Sequence, residues 1–178
     1  MTALLIKLFI KNADDIVFPE IIEGSLLLGS VTSADDLILP KCINGNLDLT
    51  YLKEAKNIHF PKLVGGSLFL DKLEEAESLL LPEIVSEDLI LSSLTSAKGL
   101  VLPKKVGRIL NLENLFNIEG ILLPKNEQGE FYVPGDKVVF CRFTNEELIE
   151  AAKRTEARQQ EPKIFEEIDD LSTGNPKK

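Results

Sequence analysis

Hydrophobic and polar positions recur in a unit of 21 residues throughout residues 1–124. Aligned on its proline, each unit reads A-x-x-(L/I)-x-(L/F)-P-x-x-(I/V)-x-G-x-L-x-L-x-x-L. The prolines hold this spacing without a slip at Pro19, Pro40, Pro61, Pro82, Pro103 and Pro124. Because a fixed period of about 20–50 residues is typical of solenoid proteins, residues 1–124 are predicted to form one stacked array of about six coils.

Each unit contains two short patches, L-x-L-P and L-x-L, in which apolar and polar residues alternate. Alternation with a period of two predicts strands, and a unit of 21 residues with two strands and two turns leaves no room for a helix. Equivalent positions of successive units should stack about 4.8 Å apart in parallel ladders. Since crossovers between parallel strands are nearly always right-handed, the sequence predicts a mainly β fold, a right-handed parallel β-solenoid.

The residues after the last repeat proline predict a C-terminal cap and one C-terminal helix. The repeat register breaks at Pro134, and residues 138–143 read as a final strand, so we assign 125–143 to a cap over the exposed end of the solenoid. Thr144 and Glu147 form a capping box, which opens a predicted helix over 144–160. Its apolar residues lie in the first turns only, so docking is expected at the start of the helix.

A spacing of four residues places Glu150 and Arg154 on one face of this helix, where they are predicted to form an ion pair. The remaining residues, 161–178, form an acidic tail. Its apolar residues are Ile164, Phe165, Ile168 and Leu171, separated by acids. Three interpretations stay open: the tail packs on its own solenoid, it is a loose end, or it is an acidic-hydrophobic motif for another protein.

The most suggestive column is the residue two positions before each proline. It comprises Val17, Ile38, His59, Leu80, Val101 and Leu122. In the alternation these side chains point away from the core, yet five of the six are aliphatic, and an apolar stripe of this length rarely faces water bare. The stripe is predicted either to be covered by the C-terminal helix, the tail or a flat solenoid, or to be a surface for a partner or for self-association.

A second outward column is half apolar and is a weaker candidate. Its members are Ile6, Leu27, Asp48, Phe69, Ile90 and Asn111. Carboxylates also cluster before the proline strands, at Asp14-Asp15, at Asp35-Asp36, and at Glu74-Glu75 with Glu77. Since calcium needs six to eight oxygen ligands and the next coil offers Lys56 and Asn57 instead, we expect a solvated acidic ridge and no metal site. An electrostatic contact with a basic partner is the alternative.

The candidate chemistry of the chain is sparse. His59 is the only histidine, and no motif places a Ser, Cys or carboxylate beside it, so it reads as a tolerated surface position. Cys42 and Cys141 have no metal-binding or redox spacing, which suits a reducing compartment. No G-x-S-x-G, P-loop, H-E-x-x-H or dinucleotide fingerprint occurs. We therefore expect a protein that is not an enzyme and needs no cofactor.

The net charge and the apolar stretches of the chain limit the classes of partner and the locations that we expect. The chain has 178 residues and a net charge of −9, which argues against binding to a nucleic-acid backbone. Lys7 interrupts the apolar start and no cleavage site follows, and no stretch approaches the ~20 apolar residues of a membrane span. The expected location is the cytoplasm, or a host cytoplasm into which the protein is delivered.

Two motifs carry a resemblance to known repeats. Leu37-Ile-Leu-Pro40 followed by Ile43 resembles bacterial leucine-rich repeats of the BspA type, in which a short strand ends in a proline followed by Val or Ile. Gly66-Ser-Leu-Phe-Leu-Asp-Lys-Leu73 is similar to the repeats of receptor L-domains. The resemblance covers about residues 1–143 and implies a leucine-rich-repeat-like solenoid that is used for recognition.

The favoured function is a non-enzymatic protein-interaction scaffold, in a bacterial or phage effector or inhibitor, that binds a protein partner or itself. Its expected contacts are the six-residue stripe defined above and the tail residues Ile164, Phe165, Ile168 and Leu171. One alternative is a β-helix enzyme acting on polysaccharide, which would carry Asp, Lys and Arg together on one face of longer coils. The other is a structural module that associates with itself through its ends, which the predicted cap would limit.

Overall fold

The chain is mainly β in the computed structural model, which describes residues 5–7, 16–35, 37–56, 58–77, 79–135, 137–139 and 141–160. Its elements in chain order are β1 (Leu5–Lys7), β2 (Ile21–Ile22), β3 (Ser25–Leu27), β4 (Ser33–Asp35), β5 (Cys42–Ile43), β6 (Leu47–Asp48), β7 (Glu54–Lys56), β8 (Leu63–Val64), β9 (Leu68–Phe69), β10 (Ile84–Val85), β11 (Leu89–Ile90), β12 (Lys105–Val106), β13 (Ile109–Asn111), β14 (Lys137–Val139) and α1 (Asn145–Gln160). No helix in this described part of the chain is long and apolar enough to cross a membrane.

The strands stack in parallel sheets, as predicted. A seven-stranded sheet has the order β1-β3-β6-β9-β11-β13-β14, a five-stranded sheet the order β12-β10-β8-β5-β2, and β4 pairs with β7. Most pairings join residues one repeat apart, such as Leu26 with Leu47 and Leu47 with Leu68. The parallel β-solenoid is therefore confirmed, while its right-handed sense stays a prediction from the rule for parallel crossovers.

The solenoid has slightly fewer complete turns than the predicted six coils. Within the described residues, about four turns separate β2 from β12, because four pairings join the five strands of that sheet. β14 follows β13 after 28 residues, and not after 21, since Ile109 pairs with Lys137. Part of that longer connection folds back on itself in an antiparallel bridge between Lys125 and Phe131, which takes it out of the repeat register.

The second strand of each coil lies after the proline and not before it. The L-x-L-P segments form isolated bridges, which join Ile38 to His59, Leu80 to Val101 and Val101 to Leu122. The five-stranded sheet consists instead of the two residues that begin two positions beyond each proline, as in β5 and β8. The physical reason is that a proline has no N–H to donate, so the ladder before it ends and pairing resumes beyond it.

Stacked leucines form the core. The leucines at the centre of the seven-stranded sheet are fully buried, and they are Leu26, Leu47, Leu68, Leu89 and Leu110. Each such side chain contributes roughly 1.5–3 kcal/mol by leaving water. Because every one of these coils places a leucine at the equivalent position, the side chains that fill the interior differ little from coil to coil.

A polar ladder lies one position before these leucines. Ser25 Oγ accepts a hydrogen bond from the Asn46 amide at 3.0 Å, and Asn46 Oδ1 accepts one from the Ser67 amide at 2.9 Å. Ser67 Oγ and Asp88 Oδ1 continue the series by accepting from the next amides of the column at 3.3 and 3.1 Å. These side chains satisfy backbone N–H groups at the bend that leads from the five-stranded sheet into the seven-stranded sheet.

The predicted capping box begins α1. The Glu147 amide donates to Thr144 Oγ1 at 3.2 Å, and the Thr144 amide donates to Glu147 Oε2 at 2.7 Å. Leu148, Ala151 and Ala152 of α1 are buried in the same cluster as the solenoid leucines. The helix therefore closes the core beside the last coils.

α1 contacts the solenoid along its length, which differs from the predicted docking at its start alone. Arg154 Nη2 and Arg158 Nη1 each lie 2.9 Å from a carboxylate oxygen of Glu119. The predicted pair of Glu150 with Arg154 is replaced, because Glu150 instead bonds Lys153 at 2.6 Å. A cationic side chain on a helix surface pairs with the carboxylate that lies nearest in space, and for Arg154 that carboxylate is Glu119 of the solenoid.

Glu119 should make the docking of α1 depend on pH. The hydrogen bond from Arg154 is the main cause that lowers the pKa of Glu119; burial opposes it, and the charges of both arginines and the hydrogen bond from Arg158 add to the lowering. Stability from this contact is therefore present above the unfolded pKa of about 4.3 and is lost as the pH falls through the lower folded pKa. We expect the difference in free energy of unfolding between wild type and Glu119→Gln to be constant near neutrality and to shrink at acid pH, as measured by urea titrations. A difference that stays the same from neutral to acid pH would contradict this.

Candidate functional site

The predicted stripe forms a ladder on a rigid backbone. At its N-terminal half the Leu39 amide donates to the His59 carbonyl at 3.1 Å, and the His59 amide donates to the Leu37 carbonyl at 2.9 Å. The same two bonds recur further along, where Leu102 donates to Leu122 at 3.0 Å and Leu122 donates to Leu100 at 2.9 Å. Ile38 therefore lies beside His59, and Val101 lies between Leu80 and Leu122, as the repeat predicts.

The stripe faces outwards and is largely uncovered. Val17 is 95% exposed, Ile38 66% and Leu80 69%, whereas Leu37 and Leu39 are buried. His59 is also exposed, and Val101 and Leu122 are half-buried. α1 therefore does not cover Val17, Ile38 and Leu80, and no flat solenoid buries them.

A second apolar column on the same edge was missed by the sequence analysis. It consists of the residues two positions after each proline, where Ile21 and Ile84 are exposed and Cys42 and Leu63 are half-buried. The signal was present in the sequence, because this position is apolar in four of the five coils from Ile21 to Lys105. We call the two columns, two before and two after each proline, the proline edge.

The proline edge collects most of the exposed apolar side chains. Of the seven large hydrophobic residues that are exposed in the described part of the chain, five lie on it: Val17, Ile21, Ile38, Leu80 and Ile84. The other two, Tyr51 and Phe116, lie elsewhere on the coils. Pro40, Pro61 and Pro82 are themselves buried, so each rigid ring holds the corner between the two columns.

Charged residues run along the proline edge at the position directly after each proline. Their sequence is Glu20, Lys41, Lys62, Glu83, Lys104 and Lys125. Lys41 Nζ lies 2.6 Å from Glu20, and Lys104 Nζ lies 2.8 Å from Glu83. The lysine hydrogen bonds and charges lower the pKa of both glutamates, and the Glu83 contact raises the pKa of Lys104. With Lys105, the edge carries five lysines and two glutamates, although the whole chain has a net charge of −9.

The other predicted features remain ordinary surface. The second outward column, with Leu27, Phe69 and Ile90, is half-buried in the seven-stranded sheet. In the acidic ridge, Glu77 forms an ion pair with Lys98 at 3.0 Å, and the ladder partner of Asp35 is Lys56. Among the described residues, no group of three or more His, Cys, Asp or Glu could hold a metal ion. Asp14, Asp15, Asp36 and Asn57 lie outside those residues.

The tail residues of the predicted contact set are not part of the described structure. Ile164, Phe165, Ile168 and Leu171 all lie outside the described residues, which end at Gln160. The structure therefore pairs Ile38 with His59, and Leu80 and Leu122 with Val101, and it exposes Ile21 and Ile84 on the other side of the prolines. The candidate site is an exposed apolar edge with a charged column beside it.

Comparison with known proteins adds no relative. No protein-family model, no curated protein and no solved structure matches this chain. The resemblance to BspA-type and receptor L-domain repeats therefore stays a prediction from the repeat residues. The fold, a parallel β-solenoid closed by one helix, and the proline edge are the grounds on which a function is proposed.

Proposed function

We propose that this protein is a non-enzymatic scaffold that binds a protein partner through the proline edge. The observation that carries the proposal is the exposure of Ile38 and Leu80, each of which is joined to the next stripe residue by a parallel bridge. Exposed apolar side chains that are concentrated in one region of a surface mark interaction sites. Its backbone is already ordered, so binding loses little conformational freedom.

The dimensions of the edge favour one segment of a partner. The six stripe residues are separated by five steps of about 4.8 Å, which gives the stripe a length of about 24 Å. Two columns of side chains along this length form a narrow strip. A single extended or helical segment that lays apolar side chains along the ladder matches this shape.

The charged column supplies selectivity. Lysines beside an apolar edge favour a segment with acidic residues next to its apolar ones and disfavour a basic one. The ion pairs Lys41–Glu20 and Lys104–Glu83 are exposed, so each contributes little to folding stability and remains available to exchange partners.

The two alternatives have less support. A polysaccharide-acting enzyme would group acidic and basic side chains on one strand face, whereas the outward positions of the stripe are aliphatic apart from His59. Self-association through the solenoid ends is limited at the C-terminal end, because α1 buries Leu148 and Ala152 in the core there. A bacterial or phage effector or inhibitor remains the setting that we propose.

The test compares two pairs of exposed residues. Ile38→Asp with Leu80→Asp places charges on the proline edge, and Tyr51→Asp with Phe116→Asp places the same charges on exposed apolar residues elsewhere. Because all four side chains are exposed, we expect each pair to change the free energy of unfolding by no more than about 1 kcal/mol. Capture of partners from a lysate of the source organism by the immobilised protein should be lost in the first pair and kept in the second. If the two double variants capture partners equally well, the proline edge is not the binding surface.

A further inference from the structure

We propose that the C-terminal segment of this chain, residues 161–178, covers the proline edge in the same molecule, so that a partner must displace it. The inference rests on the proposed function and names the first occupant of that surface. Three observations support it: the local charge of the edge, the place where α1 ends, and the length of the segment.

The sequence of the segment complements the edge. Residues 164–171 read I-F-E-E-I-D-D-L, with four acidic residues, four apolar residues and no basic residue. The edge offers the opposite charge, since its lysines Lys41, Lys62, Lys104, Lys105 and Lys125 outnumber its two glutamates. The apolar side chains of the segment can pack against those of the edge while its carboxylates pair with the lysines of the edge. Both the apolar and the charged residues of the segment then have partners.

The last turns of α1 lie beside the C-terminal end of the charged column. Glu156 Oε1 lies 2.6 Å from Lys125 Nζ, and Lys125 is the last member of that column. α1 ends at Gln160, four residues or about 6 Å of helix beyond Glu156. The first apolar residue of the segment, Ile164, follows only four residues later.

The length of the segment is sufficient. Eighteen residues follow Gln160, and an extended chain of that length reaches about 60 Å, more than twice the ~24 Å of the stripe. Because the segment is tethered, its effective concentration at the edge is of millimolar order, so even weak binding would keep the edge covered.

The experiment uses a tryptophan in the full chain, which has none of its own. Phe165→Trp places the only indole within the segment. If the segment lies on the edge, the emission should be blue-shifted and acrylamide quenching should be several-fold weaker than for a free peptide of residues 161–178 with the same substitution. Adding Leu80→Asp, or Lys62→Glu with Lys104→Glu, should restore the emission and quenching of the peptide.

The controls separate the possible sites. Phe116→Asp charges an exposed apolar residue away from the edge and should leave the tryptophan protected. Protection that survives Leu80→Asp and the lysine changes would overturn the proposal, because the segment would then pack elsewhere. Protection that disappears on dilution would also overturn it, since the occupant would be the segment of a second copy.

A capture assay distinguishes this proposal from the proposed function. A chain that ends at Gln160 should capture more partner than the full chain, because nothing competes for the edge. A tryptophan that is as exposed as in the free peptide would show that the segment does not cover the edge. It would not contradict the proposal that the edge binds a partner. Loss of capture on truncation would contradict the covering in another way, since the segment would then help to bind the partner.

Discussion

Replacing Leu68 by alanine is expected to lower the free energy of unfolding by about 2–5 kcal/mol. Leu68 is fully buried and lies in the middle of the leucine ladder, between Leu47 and Leu89 of the neighbouring coils. Truncation leaves a cavity that the two neighbours cannot fill, because their backbones are held by hydrogen bonds on both sides. Leu68 donates to Asp88 at 2.8 Å, and Leu47 donates to Ser67 at 2.9 Å.

The matched control is the same substitution at Leu80. That side chain is 69% exposed, so Leu80→Ala should change stability by no more than about 0.5 kcal/mol. Urea titrations followed by far-ultraviolet circular dichroism measure both variants, with the slope of each transition checked for cooperative unfolding. Equal losses at Leu68 and Leu80 would mean that the ladder is not the core of the solenoid.

Gly66→Ala is expected to cost about 1–3 kcal/mol through overpacking at the bend. A Cβ atom at Gly66 would clash with Asn46 Oδ1 and lie 2.9 Å from the carbonyl carbon of Gly45. Asn46 Oδ1 cannot simply move aside, because it accepts the hydrogen bond from the Ser67 amide. The backbone of two coils must therefore separate locally to admit one methyl group.

The next coil shows why the clash is specific. Glu87 occupies the position equivalent to Gly66, and the shorter Ser67 occupies the position equivalent to Asn46. There the Ser67 hydroxyl donates to Glu87 Oε2 at 3.2 Å, so a side chain is accommodated. Gly66→Ala should accordingly cost less in an Asn46→Ser background, with a coupling energy of about 0.5–3 kcal/mol in a double-mutant cycle. Strictly additive losses would show that Asn46 is not what excludes the methyl group.

Features that depend on the period could be read directly from the chain. The spacing of Pro19 through Pro124 predicts the stacking, and the alternation around Pro40 predicts that Ile38 faces outwards between buried Leu37 and Leu39. The capping box at Thr144 likewise predicts the start of α1. These succeed because each depends on residues close in sequence or on one position repeated in every coil.

Features that depend on which residues meet across coils could not be read in this way. The polar ladder from Ser25 to Asp88 looks like four unrelated residues until their amide partners are known. The pairing of Arg154 with Glu119 spans 35 residues, and the local spacing pointed to Glu150 instead. Distance in space, and not spacing along the chain, selects these partners.

The repeat alone was therefore enough to establish the stacked architecture and its outward apolar column, because a strict period imposes the same geometry on every coil. Folding in three dimensions decided where the second strand lies, how far α1 extends over the last coils, and that Ile21 and Ile84 join the stripe on one edge. The reason is that the proline ring sets the corner locally, while exposure and ion pairing depend on what the rest of the chain brings to that corner.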